Sequence, residues 1–389
     1  MDKIVNLGRT DMDSSRRSVL TAGLYSVALG VPGFGDLTKR VGATSASLGP
    51  AVPVGASEVE TVRKMTARIA EILDELGAGH ARPMAAAFLT NTVGTYLRAQ
   101  ATPAVKADML SAASDLTYLI GWMAMYEIEH GLGQSYYHRA LELARNADDH
   151  VTYCRTLRGM ALQAANLKHG QKALNLADAA AEAAPKAGPR RRAFLTGQQA
   201  HGTALVGDSR TAFARLRETE QALSQADGRN DHVGGYDLSA YHFHVSSVLY
   251  ALGDVTGSIT AMQQSQRLRP PLEKQGRAHA NGVMAQRQLE VGHVEGATVT
   301  WHSFLDDYET LSSARTDDHF LQMLPGIRPY TGKSEGPRPQ RAGADLGGDE
   351  GMTAAVRRFW PAAVARRRTT VAPAAGPRCP AEHLRAGVR

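Results

Sequence analysis

Gly133-Gln134-Ser135-Tyr136-Tyr137-His138-Arg139-Ala140 returns forty residues later as Ala173-Leu174-Asn175-Leu176-Ala177-Asp178-Ala179-Ala180. In each stretch the residues at the first, fifth and eighth places share one face of a helix. The outline comes back at Ala297, Trp301 and Phe304, and its small residue at Ala212 and Ser258, so the small position recurs at spacings of 40, 39, 46 and 39. Each copy lies on the second helix of a helix–turn–helix unit. Gly121 and Ala161 hold the matching place on the first helix of units one and two, and Pro185 closes unit two. Small residues at these offsets let two helices cross closely, the tetratricopeptide (TPR) pattern. The units are longer than the usual ~34 residues. Units three and four carry Thr219 and Ser265 at the third position, so the repeats are degenerate. The fold expected is all-α: a TPR-like helical-repeat superhelix, with an irregular helical bundle as the alternative.

Outward from the repeats, the chain divides into four expected regions. Residues 1–56 form a linker-like N-terminal segment, 57–104 a helical pair, 105–330 the repeat array and 331–389 a basic disordered tail. In the pair, Ser57 and Glu60 have capping-box spacing. Val62, Met65, Ile69, Ile72, Leu73 and Leu76 follow at helical spacing, Gly77 and Gly79 end the helix, and Pro83 suits the first turn of the next. The first segment holds Arg16-Arg17 ahead of an uncharged run from Ser18 to Gly35, with Thr44-Ser45-Ala46 beyond it. That pattern permits export through a twin-arginine signal, although Asp2, Asp11 and Asp13 dilute the charge before it. Pro32 and the glycines make the run a poor membrane span. The alternative is a cytoplasmic protein in which this segment is a linker.

The whole chain carries 44 basic and 38 acidic residues, a net +6. Residues 331–389 hold 11 basic and 5 acidic residues, which leaves 33 of each in residues 1–330. The array is therefore neutral, and its charge does not argue for nucleic acid. The tail, with 8 glycines, 6 prolines and 12 alanines, is too poor in apolar surface to offset its chain entropy.

Stacked helix pairs leave a concave surface lined by the first helix of each pair. TPR offsets project Tyr118, Trp122 and Tyr126 toward that groove, then Arg155, Arg158 and Asn166, then Gln198 and His201, and finally His244, His279 and Gln286. Aromatics, amides and cations together suit a protein or peptide partner.

Signs of chemistry are few. Thr331-Gly332-Lys333-Ser334 resembles the end of a phosphate-binding loop, but Ile327 stands where its first glycine is required. His242 and His244 point to opposite sides of a helix and cannot share a metal. Asp317, Asp318 and His319 read as a solvated helix end, and Cys154 as a packed thiol. There is no G-x-S-x-G and no H-E-x-x-H motif. No catalytic residue, metal or cofactor is expected, and the protein is read as a non-enzyme.

Several segments in fixed order carry a family resemblance: Asp13-Ser14-Ser15-Arg16-Arg17-Ser18-Val19-Leu20, Gly79-His80-Ala81-Arg82, Leu119-Ile120-Gly121-Trp122-Met123-Ala124, Tyr136-Tyr137-His138-Arg139-Ala140-Leu141 and Asp317-Asp318-His319-Phe320. Over roughly residues 13–330 the chain resembles actinobacterial transcriptional regulators in which an N-terminal helix-turn-helix precedes a TPR-like regulatory region. The resemblance implies a role in sporulation or secondary metabolism, with the Arg-Arg segment as the linker behind the DNA reader. Only about a dozen residues precede that linker here, whereas a DNA-reading domain needs about 60 to bury a core. The expectation is a regulatory module that acts through protein or peptide partners, full-length related regulators among them. Direct sequence-specific DNA binding and membrane insertion are not expected, and self-association is left open.

Overall fold

A computed structural model of the chain describes residues 2–13, 25–30, 53–226 and 236–327. The described residues form α-helices without a strand. They run α1 (Asp2–Met12), α2 (Ala56–Leu76), α3 (Ala78–Phe88), α4 (Pro103–Tyr126), α5 (His130–Asn146), α6 (His150–Asn166) and α7 (Gly170–Glu182). They continue with α8 (Pro189–Leu205), α9 (Ser209–Ser224), α10 (Leu238–Ala251), α11 (Val255–Leu268), α12 (Lys274–Glu290), α13 (Val294–Tyr308) and α14 (Ala314–Ile327). Each even-numbered helix from α4 to α12 packs on the odd one that follows it, and neighbouring pairs stack. This is the all-α, TPR-like helical-repeat array.

The repeated small residues lie where each pair crosses: Ala173, Ala212, Ser258 and Ala297 are fully buried. At Gly121 a Cβ would stand 2.9 Å from the Tyr137 ring and 3.2 Å from the Gly133 carbonyl, so α4 and α5 touch through their backbones. The degenerate units use hydroxyls at these crossings. Thr219 donates to Thr196 at 2.9 Å, Ser239 and Ser265 bond across α10 and α11, and Ser246 donates to the Ser258 carbonyl at 2.7 Å. A buried hydroxyl is tolerated when it is paired, which is why the pattern weakens in sequence without the packing weakening.

The turns repeat as well. A left-handed residue stands two places before α5, α6, α7, α9, α11 and α13: Ile128, Asp148 and Lys168 in the first three, Gly207, Gly253 and Gly292 in the last three. Asp149, Asp208, Asp237 and Asp254 cap α6, α9, α10 and α11 with their carboxylates. The start of α2 is two residues earlier than the Ser57–Glu60 spacing suggests. Gly55 is the N-cap, and its N–H donates to Glu58 at 2.7 Å, because Glu58 is the carboxylate within reach. Gly77, at φ 91°, ends α2 alone, while Gly79 and Pro83 both lie inside α3. α3 runs on through a π turn (Leu89–Val93) and a last turn (Gly94–Tyr96).

Within the first 56 residues, α1 is docked on the body. Ile4 and Val5 are buried against α3 and its π turn, and Asp11 pairs with Arg82 and accepts from Tyr136 at 3.1 Å. Residues 25–30 lie along the outer face of the array. The Gln134 amide bonds both the N–H and the carbonyl of Ser26, at 2.9 and 2.8 Å, and Tyr25 stacks on His169. Arg16-Arg17, the Thr44–Ala46 segment and the tail from 331 lie outside the described residues.

The two ends of the array meet. The turn before α14 carries Ser312, whose N–H donates to Leu76 at the end of α2 and whose carbonyl accepts from Gly79 at the start of α3, at 2.9 and 2.8 Å. The Ala314 N–H donates to Glu127 just past α4, Arg315 donates to the Met125 carbonyl, and α12 packs on α2. The superhelix thus closes into a ring with the even-numbered helices inside.

Candidate functional site

The ring encloses a cavity of about 860 Å³ lined from α2, α4, α6, α8, α10, α12 and α14. That size falls within the ~300–1,000 Å³ of cavities that hold small ligands. Ten of the eleven projected groove residues reach it: Tyr118, Trp122 and Tyr126 from α4, Arg155, Arg158 and Asn166 from α6, His201 from α8, His244 from α10, and His279 and Gln286 from α12. Gln198 does not. It is fully buried, because α8 and α10 touch at the adjacent Gly197, where a Cβ would run into the His244 imidazole of α10. Neither polar atom of its amide has a hydrogen-bond partner.

Tyr118, Trp122 and Tyr126 are four apart on α4, so their rings climb one face of the helix, with centroids 6.3 and 5.6 Å apart. Guanidinium groups cover them in turn. Arg155 stands 4.4 Å over Tyr118, Arg158 5.6 Å over Trp122 and 4.4 Å over Phe194, and Arg315 5.0 Å over Tyr126. Further round the ring, Arg287 lies 4.1 Å over Tyr250 and donates to Ser246 and Ser258 at 2.8 and 2.6 Å. A cation over a ring face is held by the ring's quadrupole without losing its charge.

The α14 residues correct one expectation. Asp317 and His319 are not at a solvated helix end but buried, 1% and 8% exposed, because α14 is the helix that closes the ring. Tyr308 donates to Asp317 at 2.7 Å, and Asp318 lines the lumen. His319 is joined to His279 at 2.9 Å and to Gln286 at 3.1 Å, and His279 stands edge-on to Tyr126.

Five lumen histidines are held neutral. Burial, reinforced by the field of Arg315, pushes His130 down to about 4 and His319 to about 3. Burial, then Arg158, Arg287 and Lys168, takes His201 to about 4. His244 and His279 are driven well below the usual imidazole range by burial first and cations second. On the opposite wall, burial and the charge of Glu273 raise Asp74 to about 7, against the pull of Arg269. Cys154 is buried in the α6 packing, with its thiol pushed up to about 11 by burial, which leaves it a poor nucleophile. Among the described residues no group of three His, Cys, Asp or Glu could hold a metal ion, and no helix is long and apolar enough to cross a membrane.

Arg287, Arg315, Phe194, Tyr250 and Asp74 line the lumen without having been projected there. The fold and this cavity define a helical-repeat protein with a ligand-sized, aromatic and cationic lumen. The chain matches no protein-family model and no curated protein. It is similar to a solved structure, a Rap protein complexed with competence and sporulation factor, at 15% identity and a TM-score of 0.45, over 79% of this chain and 89% of that one.

Proposed function

We propose that the protein is a non-enzymatic regulator whose lumen receives a peptide or the end of a protein partner, and that it modulates transcription or differentiation through that binding. The observation that carries this reading is the inner wall of the ring. Aromatic rings, guanidiniums and amides converge there on a cavity of ligand size, and the thiol Cys154 is inert. Related regulators are the partners the sequence resemblance favours. The cytoplasmic reading draws support from the docking of α1 and of residues 25–30, which anchors both flanks of Arg16-Arg17 on the folded body.

The test is affinity capture with the full chain from cells that make it, beside the same chain with Trp122→Ala and His279→Ala. Recovery of a regulator or peptide that the altered lumen fails to retain is the result expected. Equal recovery by both proteins would remove the lumen from the function. Cleavage near Ala46, with export lost in Arg16→Lys/Arg17→Lys, would instead favour an exported envelope scaffold.

A further inference from the structure

The lumen carries cations that no carboxylate of its own walls pairs with directly. Arg155 has a counterion, Asp115, at 2.6 Å. Among the described residues no carboxylate comes within 4.0 Å of Arg158, Arg287 or Arg315. Arg287 is served by two serine hydroxyls. Arg158 has ring faces for neighbours, and its Nε–H has no hydrogen-bond partner. Arg315 makes one long bond, 3.3 Å to the Met125 carbonyl. A guanidinium has five N–H donors, so most of theirs are unused.

The acidic residues of the lumen act on these cations without pairing directly with them, Asp318 on Arg315 and Glu290 on Arg287. Glu273 is bound to Arg269 at 2.9 Å, Glu290 accepts from Tyr250, Asp318 accepts from Gln322, and Asp237 caps α10. Asp74 is held partly protonated by its burial. Arg158, Arg269, Arg287, Arg315 and Lys168 all press on the lumen histidines, and no acidic residue offsets them there. His201 Nδ1 and His130 Nδ1 also stand without hydrogen-bond partners.

We infer that the lumen beside the Tyr118–Trp122–Tyr126 ladder anchors the C-terminal carboxylate of a short peptide, bound by the free donors of Arg158 and Arg315 with the adjoining side chains on the apolar wall of Leu162, Phe243 and Val283. A planar carboxylate matches the guanidinium fork and accepts two parallel bonds from it. Leu119, Leu162, Phe243 and Val283 line the same cavity. Apolar walls beside the cations suit the side chains that a peptide brings with its carboxylate, contacts that a bare phosphate lacks. This inference rests on the reading of the lumen as a peptide site.

The probe is a pool of N-acetylated hexapeptides lacking Asp and Glu, made once with a free C-terminal carboxylate and once as the amide. Each pool is offered to the full-length protein, and retained peptides are identified by mass and measured singly by calorimetry. The acid forms are expected to bind about tenfold or more tighter than their amides, the scale of a charge-assisted hydrogen-bonded pair. Arg158→Gln and Arg315→Gln should each lose that preference, while Arg158→Lys and Arg315→Lys keep part of it. If either Gln variant fails to fold, the acid-to-amide ratio of the unaltered protein decides alone. Equal retention of acids and amides overturns the carboxylate anchor while leaving the lumen a peptide site. Displacement of retained peptides by millimolar inorganic phosphate overturns it in favour of a free anion. Retention of neither pool overturns both readings.

Discussion

At the scale of single residues, the interior of this protein is governed by charges held away from water. Arg82, almost fully covered, is shared between Asp11 of α1 and Glu129, the latter at 3.5 Å, and so ties the N-terminal helix to the turn after α4. Removing one member of a buried ionic group strands the others. Arg82→Ala is therefore expected to cost about 3–5 kcal/mol, read as a lowered denaturation midpoint together with loss of protection in α1. The histidines set the response to acid. Their folded pKa values, about 4 for His130 and His201 and about 3 for His319, lie below the unfolded value of roughly 6.5. The unfolded chain takes up protons first, so stability that is complete above about pH 6.5 is lost as pH falls toward the folded values. Asp74 and Glu127, raised to about 7, act in the opposite sense and add stability over the same range. Five depressed histidines outweigh them, and the melting temperature should fall between pH 7 and pH 5. A flat or rising melting temperature over that interval would contradict this account.

At the scale of helices and turns, packing is decided where backbones approach. The crossing of α4 and α5 leaves Gly121 no room for a Cβ, so Gly121→Ala is expected to cost about 1–3 kcal/mol as an overpacked site. Chemical denaturation measures it, and an unchanged midpoint would mean the helices cross elsewhere. These crossings were the legible part of the sequence. Gly133, Ala173, Ala212, Ser258 and Ala297 mark them by size alone, and helical spacing on the inner helices was enough to aim Tyr118, Trp122 and Tyr126 inward. Periodicity gives a direction but not a depth, and close contact with α10 seals Gln198 away from the lumen. Arg287 and Arg315 are hidden in the sequence for different reasons. Arg287 lies on an inner helix among many polar neighbours, while Arg315 lies on α14, which follows the last helix pair that the repeat spacing marks. Glycines on the inner helices carried a further signal: Gly159 and Gly282 admit Tyr118 and His319 so closely that a Cβ would stand 3.0 and 2.5 Å from those rings. Whether hydroxyls at a crossing repel or pair depends on residues distant in the chain, and so units three and four looked weaker than they are.

At the scale of the whole molecule, the ring depends on a seam between α14 and the ends of α2 and α4. Glu127 accepts from the first N–H of α14 at 3.2 Å and is itself buried. Glu127→Ala should loosen this seam in particular. Amide exchange in residues 312–320 is expected to rise while α8 and α9 stay protected, since they meet on the far side of the array; a uniform change would point to global destabilisation instead. The seam also bears on topology. An open groove accepts the middle of a polypeptide laid in sideways. If the lumen receives a polypeptide, a closed ring is entered through its mouth, which passes a single chain end more easily than a doubled-back loop until the seam parts. Two proteins with the same lining chemistry would then differ in what they select, one reading sequence anywhere in a partner and the other favouring its terminus.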